Sequence, residues 1–252
     1  MIFKFLNTFC VGHLGGWMLK APPGQSHMSQ VISEMVGTYI LVLLGSSSVV
    51  LVSESSLPMR WDGIVLVASV FGLTVAGAII ALGGLSGAHI NPAVSVACAV
   101  ARTLKPRLLV PYILAQLAGA LLAGASLRLV FGSHILPANL GSTELGAGVS
   151  FTEGLALEFA GTFALSISAL GASALIRSTP RRAALVGLTL SCLILLVGPL
   201  TGASFNPARS LGPSVFSGYF SDQAVYWIGP FAGAVSAGVA FFFLRGGIEG
   251  GG

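Results

Sequence analysis

The chain has 252 residues, of which 54% are hydrophobic and 8% charged, with a mean hydropathy of +0.91. Soluble domains carry roughly 25% charged residues, and burying this much apolar sequence in one would leave almost no polar surface for water, so a water-soluble globule is excluded. The net charge of +4 does not point to nucleic acid, because the basic residues sit in short connectors between apolar windows, where they report membrane orientation.

Residues 1 to 28 form an N-terminal tail whose status stays open. The segment from Met1 to Leu19 is hydrophobic but interrupted by Lys4, Asn7 and His13, and no small-residue cleavage site precedes Ala21-Pro22-Pro23, so a signal peptide is a poor match. A cytosolic or surface-lying tail fits better, while Met28 as an alternative start, or Ser26-His27-Met28 as a cloning junction, are equally open.

The channel region, 29–245, divides into repeat one (29–131), a linker (132–151) and repeat two (152–245), with a tail at 246–252. Uncharged or nearly uncharged windows follow in order at Val31–Val52, Gly63–Gly83, Leu108–Leu127, Leu155–Ile176, Ala183–Leu200 and Ala224–Leu244. Each is near the ~20 residues that cross a bilayer as a helix. They are continuously apolar rather than alternating, which rules out a transmembrane barrel. Of the basic residues, Lys4, Lys20, Arg102, Lys105, Arg107, Arg177, Arg181, Arg182 and Arg245 fall on one side, and Arg60, Arg128 and Arg209 on the other. The richer side is expected to be cytoplasmic. Six spans then place both termini in the cytoplasm, and the first segment is not a seventh span.

The two halves repeat. Glu34-Met35-Val36-Gly37-Thr38 in the first span recurs as Glu158-Phe159-Ala160-Gly161-Thr162 in the fourth, and Ser86-Gly87-Ala88-His89-Ile90-Asn91-Pro92-Ala93 after the second recurs as Thr201-Gly202-Ala203-Ser204-Phe205-Asn206-Pro207-Ala208 after the fifth. Each half has an odd number of spans, so the second copy enters the membrane inverted. The two Asn-Pro-Ala turns therefore start from opposite sides and can meet near the midplane. The segments behind them, Val94–Arg102 and Ser210–Phe216, are too short to cross and too apolar for exposed loops, which predicts re-entrant half-helices. Asn is a good N-cap and Pro is well tolerated at the first helical position, so each motif should begin a helix. Gly119, Gly124, Gly229, Gly233 and Gly238 are expected to let helices approach closely.

Glu34 and Glu158 lie inside spans and need internal partners. A proton relay is one role, but a structural one is stronger, since the backbone leading into a re-entrant turn carries N–H groups in need of acceptors. Cys10, Cys98 and Cys192 are odd in number and at unrelated spacings, so neither a disulfide framework, a metal site nor any cofactor is expected. His13, His27 and His134 support no site. No Ser-His-Asp arrangement or phosphate-cradling loop is present, and an enzyme reading has nothing to stand on.

On these residues the chain, from Val31 to Leu244, resembles the aquaporins or major intrinsic proteins. The resemblance rests on two Asn-Pro-Ala motifs, each after Ser/Thr-Gly-Ala, each preceded by a Glu-x-x-Gly-Thr span, with Arg209 after the second. It implies an all-α membrane protein with six transmembrane helices plus two re-entrant half-helices in an inverted three-helix repeat. It also implies a homotetramer, in the plasma membrane, whose subunits each hold a pore for water and small neutral solutes. The pore motifs would be Asn91, Pro92, Ala93, Asn206, Pro207 and Ala208, and the selectivity filter Phe71, Ile194, Ala203 and Arg209. His89 would line the cytoplasmic mouth as a neutral polar group. Strict water channels usually have His where this chain has Ile194, and glycerol facilitators typically pair Trp with Phe and follow the arginine with Asp, where this chain has Ser210. Gly198-Pro199-Leu200-Thr201-Gly202-Ala203-Ser204 and Asn206-Pro207-Ala208-Arg209-Ser210-Leu211-Gly212-Pro213 are most similar to the nodulin-like intrinsic proteins of plants and their prokaryotic relatives. That branch implies water, glycerol and neutral metalloid hydroxides as solutes. A metalloid or glycerol channel with poor water flux, an alternating-access carrier and a non-conducting scaffold are the rival readings.

Overall fold

The computed structural model describes residues 26–54, 61–132 and 136–249, which form eight α-helices. They are α1 (His27–Glu54), α2 (Trp61–Ser86), α3 (Pro92–Val100), α4 (Pro106–Phe131), α5 (Phe151–Leu175), α6 (Thr179–Thr201), α7 (Pro207–Ser217) and α8 (Val225–Glu249). Six of them, all but α3 and α7, are long and apolar enough to cross a membrane. The first segment lies outside the described residues.

The distribution of side chains is that of a lipid-embedded molecule. Leu73, Leu129, Leu196 and Phe243 are each at least 70% exposed, whereas Glu34, Thr38, Gln116, Glu158 and Ser210 are fully buried. In a bilayer the apolar exterior costs nothing, while polar groups must find partners inside the protein.

Helix α1 packs along α4, and its counterpart α5 along α8, while α2 packs on α6 across the two halves. The half-helices are exchanged: α3 of the first half lies against α8 of the second, and α7 of the second against α4 of the first. Small residues permit this. A Cβ on Gly119 would strike the Met35 carbonyl and one on Gly233 the Phe159 carbonyl, equivalent contacts in the two repeats. A Cβ on Gly212 would likewise strike the carbonyl of Ala120, where α7 crosses α4.

The half-helices begin at the proline of each motif, but the first ends at Val100, earlier than the sequence indicates. Arg102 adopts a left-handed φ of 58°, and the N–H groups of Thr103 and Leu104 both turn back to the Cys98 carbonyl at 2.8 and 3.1 Å. Pro106 restricts Lys105 to an extended conformation, φ −64° and ψ 128°, so the chain must leave the helix before it.

The linker is more than a connector. A short 3₁₀ turn at Leu136–Gly141 leads into a segment held by the Gly146 N–H on the Leu200 carbonyl at 2.9 Å. At the start of α5, Ser150 and Glu153 form a reciprocal capping box, the arrangement that satisfies two otherwise unpaired N–H groups.

Candidate functional site: two opposed asparagine turns

The two loops that carry the asparagines have the same backbone trace. Gly87, Ala88 and Ile90 have φ of 92°, 49° and 45°, and Gly202, Ala203 and Phe205 have 73°, 44° and 51°. Left-handed conformations are costly for residues with a Cβ, about 1–2 kcal/mol each, and most so for the β-branched Ile90. Such strain persists only where surrounding groups hold it.

Two buried glutamates supply the hold. Glu34 Oε1 accepts from the Ser86 hydroxyl (2.7 Å) and the His89 N–H (2.9 Å), and Oε2 from the Ile90 N–H (2.6 Å) and Gln116 Nε2 (2.7 Å). Glu158 Oε1 accepts from the Thr201 hydroxyl (2.7 Å) and the Ser204 N–H (2.9 Å), and Oε2 from the Phe205 N–H (2.7 Å). Two tyrosines complete the clamp, Tyr112 Oη donating to the Ser86 carbonyl and Tyr226 Oη to that of Thr201, both at 2.9 Å. The copies differ at one point: four residues after Tyr112 stands Gln116, and four after Tyr226 stands Pro230, which has no side-chain donor for Glu158.

So fixed, the turns meet. Asn91 caps α3, its Oδ1 accepting from the Ala93 N–H at 2.8 Å, and its Nδ2 donates to the Phe205 carbonyl at 2.8 Å. Asn206 caps α7 by accepting from the Ala208 and Arg209 N–H groups at 3.1 and 3.3 Å, and its Nδ2 donates to the Ile90 carbonyl at 3.0 Å. Each amide is therefore tied to the opposite loop, and each Nδ2 has a second hydrogen that these bonds do not use. Pro92 and Pro207 occupy the first helical position, and Ala93 and Ala208 are fully buried behind them. A helix N-terminus carries roughly half a positive charge, so the two tips bring like-signed ends together.

Asn91 and Asn206 line one cavity, with a volume of about 80 Å³, together with His89 and the residues Phe71, Ile194, Ala203 and Arg209. A water needs about 10–15 Å³ by this measure, so the space has room for several. Its remaining wall is mostly apolar, including Leu41, Val75, Leu165 and Leu190. Arg209 Nη1 donates to the Gly141 carbonyl (2.7 Å) and to Ser46 Oγ (3.4 Å), its Nε is buried without a partner, and its guanidinium lies 5.0 Å from the Phe71 ring centroid. His89 is 8% exposed, with Nδ1 3.1 Å from Ser95 Oγ and the ring edge-on to Tyr112.

Several of these supports escaped the sequence reading. Gly141 and Thr143 come from the linker, and Thr143 Oγ1 lies 2.8 Å from Ser210 Oγ. Ser46, Gln116 and Tyr112 lie in spans that hydropathy treats as uniform; extending the alignment of the two repeats to the third and sixth spans would have paired Tyr112 with Tyr226. Tyr226 is fully buried. Cys98 lines the cavity, Cys192 is exposed, and Cys10 lies outside the described residues. Among the described residues no three His, Cys, Asp or Glu side chains cluster as metal ligands.

Comparison with known proteins gives a consistent result. The family model described as Major intrinsic protein matches residues 24–241. Aquaporin NIP1-1 of Oryza sativa subsp. japonica is 38% identical over 221 residues, covering 86% of this chain and 75% of its own length. Aquaporin NIP3-1 of Arabidopsis thaliana is 37% identical, covering 87% and 68%, and Aquaporin-4 of Mus musculus 35%, covering 87% and 68%. Among solved structures, the aquaglyceroporin from Plasmodium falciparum superposes with a TM-score of 0.75 at 24% identity, over 87% of this chain and 96% of its own.

Proposed function

The chain belongs to the major intrinsic protein family, as a multi-pass membrane channel for water and small solutes, and from that premise we propose how its own residues select what passes. Permeation is passive, through a pore within one subunit. The observation that carries this is the reciprocal tie between Asn91 and the Phe205 carbonyl and between Asn206 and the Ile90 carbonyl inside one cavity.

At the midplane, the free N–H of each asparagine amide donates to a passing oxygen while the apolar wall offers few alternatives. A water there turns its oxygen toward the amides and its hydrogens away, which interrupts a proton-conducting chain. The converging helix tips disfavour cations at the same place.

At the outer constriction, Arg209 repels cations and offers N–H donors in a fixed fork, with Gly141 and Ser46 fixing its orientation. Phe71, Ile194 and Ala203 set width and polarity. One apolar wall facing one guanidinium suits solutes with an apolar side and several hydroxyls, so glycerol-sized polyols and neutral metalloid hydroxides pass along with water. His89 serves as a polar lining group at the inner mouth. The protein assembles as a homotetramer in the plasma membrane, the Arg182 end of the pore facing the cytoplasm with both termini. Its role is transport, and no reaction is catalysed.

Stopped-flow light scattering on proteoliposomes tests this with water, glycerol and arsenous acid. A pore gives osmotic shrinkage faster than bare lipid, with low activation energy and no saturation. Saturating, ion-coupled uptake supports the carrier instead, and no excess permeability to any of the three supports the scaffold.

A further inference from the structure

The cavity that holds Arg209 at one end holds a second arginine at the other. Arg182 stands in the first turn of α6 and lines the same space, as do Gly83 of α2 and Ser173 of α5. Ile194, at the constriction with Arg209, lies on the same helix 12 residues further on, about 18 Å at 1.5 Å per residue. The two guanidiniums therefore guard opposite ends of one passage. No Asp or Glu lines the cavity among the described residues.

Arg182 is also held. Its Nη2 donates to Thr179 Oγ1 at 2.9 Å, its side chain is half-buried, and its Nε is fully buried without a hydrogen-bond partner. Arg182 thus lines the cavity with its Nε closed off from solvent. Its neighbour Arg181 is exposed and does not line the cavity. The positive end of α6, where Ser178 makes no side-chain cap, adds a partial charge of the same sign.

We propose that Arg182 is a second specificity-determining residue of the pore, an inner cation barrier that acts in series with Arg209. The inference rests on the pore reading above. A cation arriving from the Arg182 end meets a fixed positive charge before it reaches the asparagines, while a neutral hydroxylated solute meets a hydrogen-bond donor. Because the barrier sits at one end, its effect on cations depends on the direction they come from.

The test uses the full chain in planar bilayers and proteoliposomes, with Na⁺ as the probe cation and osmotic water flux measured on the same preparation. In an Arg209→Val background, Arg182→Gln is expected to raise Na⁺ conductance relative to water flux about tenfold. Arg182→Lys should keep the background ratio, and Arg182→Glu should exceed Gln. The Arg209→Val current should rectify, with Na⁺ entering more readily from the end that Arg209 has vacated, and Arg182→Gln should remove that asymmetry. A purely structural arginine would give effects that follow side-chain size and leave rectification untouched. A Na⁺-to-water ratio that stays within twofold across Arg, Lys, Gln and Glu overturns the inference, whether or not Arg209→Val leaks by itself. If Gln impairs folding, the charge-keeping Lys variant and the charge-reversing Glu variant decide the matter. Absence of excess flux of water, glycerol and arsenous acid alike in the wild-type vesicles would defeat the pore reading itself, a result separable from failure of the inner barrier.

Discussion

Removing the Glu158 carboxylate should unseat the second asparagine turn. Glu158→Ala strips the acceptor from the Ser204 and Phe205 N–H groups and from the Thr201 hydroxyl. The hydroxyl can rotate to another partner. The two N–H groups cannot, since Ala203 and Phe205 are locked at φ of 44° and 51° and the loop is buried. A buried donor left unmatched costs about 1–3 kcal/mol, so the alanine variant loses about 2–6 kcal/mol. In Glu158→Gln the amide oxygen still covers one of the two N–H groups, and the loss falls to about 1–3 kcal/mol. Thermal unfolding in detergent, paired with water permeability in proteoliposomes, should rank both properties as wild type, then Gln, then Ala. Because Asn206 reaches the Ile90 carbonyl only if this loop keeps its shape, permeability should fall with stability. An alanine variant that unfolds at the wild-type temperature and conducts normally would refute the clamp. A glutamine variant as damaging to flux as alanine, with stability intact, would favour a proton-carrying carboxylate.

Ile194→His should narrow the constriction and lower glycerol flux more than water flux; an equal loss of both in the same vesicles would argue against placing Ile194 there. Gly212→Ala should put a Cβ against the Ala120 carbonyl and cost about 1–3 kcal/mol of overpacking, visible as a lower unfolding temperature. Gly171→Ala, with nothing within 4 Å of the added atom, should leave that temperature unchanged or raised. Thr143→Val removes the contact with Ser210 Oγ and should cost about 0.5–1.5 kcal/mol, with no change in unfolding temperature as the outcome that would show the linker is not moored through it.

Much of the architecture was legible without coordinates, because a bilayer admits few solutions. Continuous apolar windows of bilayer length have to be helices, since no water is present to satisfy an exposed backbone. The duplicated Glu-x-x-Gly-Thr and Asn-Pro-Ala segments then force an inverted repeat by parity alone, and Asn before Pro marks a helix start through local capping chemistry that needs no tertiary partner. That much followed from Glu34, Glu158, Asn91 and Asn206 and their neighbours.

What joined those residues depended on packing. Hydropathy is blind to which face of a span turns inward, so Gln116, Tyr112 and Ser46 could not be told from ordinary polar interruptions until α1 and α4 were laid together. The linker carries no periodicity, and the reach of Gly141 to Arg209 exists only because the chain folds back over that arginine. The exchange of half-helices between the two halves, and the presence of Arg182 and Arg209 on one passage, are likewise long-range facts. Sequence fixes local dihedral preference and membrane depth, because both depend on neighbouring residues and on the solvent; the meeting of groups more than a hundred residues apart depends on how whole helices pack.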